Sequence, residues 1–102
     1  MHLLSIYIGN MTTEPPARKK VARVQIGARM EKNLVKVLKA LAEYLDLSLG
    51  DLLEGVVLHT FEGKAPFTAQ TRRHIGRLKS VYGLTLTAED SHRLTEENDA
   101  RR

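Results

Sequence analysis

The feature that most constrains this chain is a change of hydrophobic period at residue 30. From Ala22 the residues alternate: Ala22, Val24, Ile26, Ala28 and Met30 are apolar, while Arg23, Gln25, Gly27 and Arg29 are polar or small. A period of two predicts one short strand with an apolar and a polar face. Only Val21 breaks the pattern. From Glu31 the period becomes helical, with Leu34, Leu38, Leu41, Ala42 and Leu45 at three- and four-residue spacing. Val35 and Val37 widen this stripe, and Lys32, Lys36 and Lys39 take the other side. A strand placed before helices has no neighbour to pair with, and its backbone donors and acceptors lie open on both edges. Within the chain, residues 6–8 and 84–86 offer only short partners. A second copy of the same strand offers a self-complementary antiparallel partner about a two-fold axis.

Further along, Asp46-Leu47-Ser48 interrupts the first helix, and Ser48 followed by Asp51 reads as an N-cap with an aspartate form of the capping box. The second helix carries Leu49, Leu52, Leu53, Val56, Val57 and Phe61 at helical spacing and stops at Gly63. Beyond Pro66, Thr68 is expected to cap a third helix with Ile75, Leu78, Val81 and Tyr82 on one face, ending at Gly83. Leu84-Thr85-Leu86 alternates briefly, and Thr87 with Asp90 is expected to cap one more short turn. The residues after Leu94 are polar enough to be expected disordered.

Charge is divided unevenly along the chain. Sixteen Lys and Arg against twelve Asp and Glu give a net +4. Residues 1–39 hold eight basic and two acidic residues, a balance of +6, whereas residues 40–63 hold five acidic residues and no basic one, a balance of −5. The cationic end favours an anionic partner. The absence of cysteine excludes disulfides, thiolate zinc sites and thiol catalysis, and makes the cytoplasm the simplest location. No run approaches the roughly 18 apolar residues of a membrane-spanning helix, so no membrane association is expected. The opening run Leu3-Leu4-Ser5-Ile6-Tyr7-Ile8 lacks the basic flank and cleavage site of a secretory signal. Residues 1–10 are expected to be either an upstream start extension or a disordered arm.

The strand Arg23 to Met30, the helix Glu31 to Leu45, the Asp46-Leu47-Ser48 turn and the helix Leu49 to Phe61 together resemble the Arc-repressor-like ribbon-helix-helix DNA-binding family. The resemblance covers about residues 21–63. It implies a mainly α fold with one short β-strand per chain, in an intertwined homodimer joined by an intermolecular two-stranded antiparallel ribbon, with a C-terminal helical extension. The implied division is a flexible basic N-terminal arm over 1–20, the DNA-binding domain over 21–63, the extension over 64–94 and a disordered tail over 95–102. The resemblance places Gln25, Gly27 and Arg29 on the base-reading positions, where Gln25 suits adenine and Arg29 suits guanine. Gly27 departs from the polar residue usual there and removes one direct reader. The start of the second helix, Ser48 with the N–H groups of Leu49 and Gly50, becomes a phosphate site. Asp51 opposes it unless its carboxylate turns back to cap the helix. Arg23 and Lys32 are expected to anchor phosphates, and Arg18, Lys19 and Lys20 to follow the backbone as an arm.

The expected function is therefore a prokaryotic, homodimeric, sequence-specific transcriptional repressor on double-stranded DNA, with two dimers on adjacent half-sites a further expectation. A competing reading is an antitoxin-like module whose residues 64–102 bind a partner protein, and a third is a helical homodimer without nucleic acid. Met30 is expected to plug the dimer core, and Arg72, Arg73 and Arg77 to be a solvated helix surface. His2, His59, His74 and His92 lie too far apart to ligate a metal, so neither metal nor cofactor is expected. No nucleophile has an adjacent base, and no catalytic residue or enzyme activity is expected.

Overall fold

Local capping chemistry sets where each helix starts and stops. A computed structural model describes residues 18–97, in which helix α1 spans Lys32–Leu45, α2 Leu49–Phe61 and α3 Ala69–Tyr82, followed by a 3-10 turn at Ala88–Asp90. Glu31 caps α1, its Oε1 accepting from the Leu34 N–H at 2.7 Å and so satisfying one orphan donor of the first turn. At the far end Asp46 takes the left-handed conformation (φ 59°, ψ 39°), which lets the Leu47 N–H return to the Ala42 carbonyl at 2.9 Å. Ser48 Oγ then accepts from the Asp51 N–H at 3.1 Å and starts α2. Thr68 does the same for α3 through the Thr71 N–H, and Gly83 at φ 69° ends it. Thr87 N–H donates to Asp90 Oδ2 at 2.8 Å, closing the expected last short turn.

Helix α1 is the centre of the molecule, packing against both α2 and α3. Leu41, Ala42 and Leu45 of α1 and Leu52 of α2 form the buried cluster, and Val56, Phe67, Ile75 and Leu78 close around it. Leu45 and Leu52 retain no exposed surface. Thr71 is equally buried, and its Oγ1 is satisfied by the Thr68 hydroxyl at 3.1 Å. The Tyr44 ring stacks on the His74 imidazole across the α1–α3 seam, with centroids 3.7 Å apart.

The expected ribbon-helix-helix architecture with a β-strand is not found. Among the described residues there is no strand, and residues 21–30 have no regular secondary structure and are exposed throughout. The reason is hydrogen bonding. Alternation determines which side chains share a face, but a strand exists only where a second segment completes its ladder. Residues 84–86 do not serve, because Leu84 is buried and its N–H is committed to the Lys79 carbonyl at 2.9 Å. Residues 6–8 lie outside the described residues, as do His2 and the rest of 1–17. The expected intermolecular ribbon and the expected packing of its apolar face on the helices fall together. Val24 and Ile26 are 84 % and 82 % exposed, and Met30, expected as a core plug, is also exposed. The C-terminal region is not an extension either, since α3 supplies Ile75 and Leu78 to the same core as α1 and α2.

Leu45→Ala or Leu52→Ala should cost about 2–5 kcal/mol, the usual range for emptying a closed core position. Gly76→Ala, where a Cβ meets nothing within 4 Å, should move stability the other way by up to about 1 kcal/mol through helix propensity. Urea denaturation of the three variants measures both.

Candidate nucleic-acid interface

The basic segment that leads into α1 carries most of the residues expected to touch DNA. Arg18, Lys19, Lys20, Arg23, Gln25, Gly27 and Arg29 are all exposed, and Lys32 follows as the first, exposed residue of α1. Gln25 makes no hydrogen bond among the described residues, and Gly27 has open space where a Cβ would stand. The two arginines are engaged. Arg23 places its Nε and Nη2 on the two oxygens of Glu54 at 2.8 Å each, and Nη2 also donates to Asp51 Oδ1 at 3.3 Å. Arg29 reaches across the chain to Glu96, donating from Nε at 2.7 Å.

These contacts bring Arg23 to the first turns of α2, beside the expected phosphate site at Ser48, Leu49 and Gly50. They also bring carboxylates there. Ser48 Oγ is occupied as the helix cap, and the Asp51 carboxylate takes Arg23 as a partner. An anion at this helix start therefore meets Asp51 and Glu54 as well as the N–H groups of Leu49 and Gly50. The hydrogen bond from Arg23, aided by its charge and opposed by burial, holds the Glu54 carboxyl below the usual carboxylate range. The same pair raises the Arg23 pKa, the hydrogen bond to Glu54 being the largest cause. Both partners are about half-exposed, so this ion pair contributes little to stability and exchanges readily for another anion. Arg29 and Glu96 are similarly open to water.

The structure thus joins Arg23 to the α2 N-terminus but keeps Arg29 separate, held by the C-terminal segment. Sequence reasoning missed Glu54 and Glu96 as partners of these arginines, although the −5 balance of residues 40–63 beside the +6 N-terminal third was a signal for the first. Two of the histidines are otherwise employed. His59 donates through Nδ1 to the Gly55 carbonyl at 2.8 Å, and His74 lies between Tyr44 and Arg77. Among the described residues no His, Asp or Glu group is arranged to hold a metal, and no helix is long and apolar enough to cross a membrane. Comparison of the chain with family models, curated proteins and solved structures gives no match.

Burial, and then the Arg77 charge, hold the His74 imidazole below its ordinary 6.5. The unfolded chain consequently binds more protons than the folded one between that lowered value and 6.5, and stability should fall as pH drops through this window. Glu54 acts in a lower window, its contribution being lost as pH falls below 4.5 toward its own lowered value. Denaturation midpoints of the parent and His74→Gln across this pH range should differ in slope only in the upper window.

Proposed function

We propose that this chain is a DNA-binding transcriptional regulator acting as a homodimer, with residues 18–32 as its DNA-contacting segment. The observation that carries the reading is the state of residues 18–30: they are exposed throughout and hold five Lys and Arg and no acidic residue. Arg23 already grips an anion with both prongs of its guanidinium, the geometry that also takes a phosphate. Exchange of Glu54 and Glu96 for phosphates and base edges frees Arg23 and Arg29 for DNA. Gln25 then suits an adenine edge and Arg29 a guanine edge, while Arg18, Lys19, Lys20 and Lys32 lie against the backbone.

Homodimerisation is supported by the second helix. Its apolar residues Leu49, Leu52, Leu53, Val56, Val57, Leu58 and Phe61 cover a wider arc than one packing face takes up. In the single chain only one side is covered, and Leu58 and Phe61 are 60 % and 79 % exposed. A second copy covers that side and shares the burial that so short a chain lacks by itself. Occupying an operator then blocks transcription without any chemistry on the DNA.

Selection from random duplexes by gel shift, with light scattering of the bound species, tests this directly. A dimer mass and a recurrent sequence support it. A monomer, or no duplex retained at low salt, overturns it. Arg29→Ala should flatten the preference at one base pair by about 1–3 kcal/mol. Replacing Arg18, Lys19 and Lys20 together by Gln should instead weaken all duplexes alike and make binding less salt-dependent.

A further inference from the structure

Helix α3, whose arginines were expected to be a solvated surface, gathers four cations on one short element. Helix α3 contains Arg72, Arg73, Arg77 and Lys79 and no acidic residue. Arg23, Arg29 and Lys64 each form an ion pair with a carboxylate, whereas none of the four α3 cations does so among the described residues. Arg77 meets only the His74 ring nitrogen, at 3.4 Å.

Helical geometry arranges these four side chains around a low floor. Thr71, Ile75 and Leu78 point into the core, which puts Gly76 and Ser80 on the opposite side. Arg72 and Lys79, two turns apart, form one border, and Arg73 and Arg77, one turn apart, form the other. A shallow, open depression of about 500 Å³ lies at the C-terminal end of this face, lined by Gly76, Lys79, Ser80, Gly83, Leu84 and Thr85, with Lys79 the one of the four cations at its edge. Gly76 is unfavourable inside a helix, and a Cβ there would meet nothing within 4 Å, so packing within the chain does not require it. Its effect is to keep the floor low between the charged borders, where another backbone can approach.

We propose that this face of α3 is a second binding surface for the phosphodiester backbone of double-stranded DNA. Like charges at one-turn spacing repel one another, and a polyanion lying along the helix relieves that repulsion. The rise from residue 72 to 79 is about 10 Å, over which one strand of a duplex presents about three phosphates, comparable to the four cations. A lipid surface fits less well, because the floor between the cations presents Gly76 and Ser80, and the exposed apolar Val81 lies outside it, beyond Arg77. This inference rests on the proposed DNA-binding function and adds to it a surface separate from residues 18–32.

The test uses the full chain, fluorescence anisotropy with random-sequence duplex DNA over a salt series, and vesicles containing phosphatidylserine as a second probe. Replacing Arg72, Arg73, Arg77 and Lys79 by Gln should lower affinity at least tenfold and make the salt slope shallower by about three. Gly76→Glu, which places a carboxylate on the floor without altering the core, should lower affinity where Gly76→Gln does not, and circular dichroism checks that each variant is folded. Unchanged affinity and slope in the α3 variants overturn the inference. If the Arg18, Lys19 and Lys20 variant loses binding in that same series, the N-terminal reading stands alone. Loss in the α3 variants with none in the N-terminal one upholds this surface and removes the other. Binding to vesicles but not to duplex overturns both.

Discussion

Burial of Leu45 against Leu52 is the interaction on which the rest of the molecule depends. Leu45 is the last residue of α1 and Leu52 lies in the first turn of α2, so their contact closes the Asp46-Leu47-Ser48 turn and determines the direction in which α2 leaves. With that corner closed, the remaining side of α1 accepts Ile75 and Leu78 of α3, and Tyr44 meets His74. The resulting core is small. A chain with so little enclosed surface has limited reserve, and the exposed side of α2, with Val57, Leu58 and Phe61, is one unused supply of apolar burial beside that of residues 21–30.

The same frame separates the charges. Glu54 and Asp51 on the outer side of α2 draw Arg23 back onto the body, and Glu96 draws Arg29. Helix α3 carries its cations on the side turned away from the core and without acidic neighbours of its own. Two basic regions therefore differ in kind. In the first, Arg23 and Arg29 must give up carboxylates before they take another anion while Arg18, Lys19 and Lys20 are open; in the second, none of the four cations is ion-paired among the described residues. Their relative importance for a polyanion follows from this difference more than from the number of Lys and Arg in each.

Helix positions were legible in the sequence because the information is local. Glu31 accepts from a donor three residues ahead, and Ser48 and Thr68 do the same, so periodicity and capping together place α1, α2 and α3 to within a residue. The base-reading residues were not legible as a site. Gln25, Gly27 and Arg29 acquire a common face only if residues 21–30 pair as a strand, and the described residues supply no partner for them.

The sequence by itself determined the three helices, their ends and the apolar stripe of α1, since each depends on residues within a turn or two of one another. Only the tertiary structure decided that α3 belongs to the core, that the alternating segment finds no strand partner among the described residues and that Arg23 and Arg29 find carboxylates 31 and 67 residues away. A ladder partner and a long-range ion pair both depend on where distant segments come to rest. No local pattern of polar and apolar residues encodes that placement.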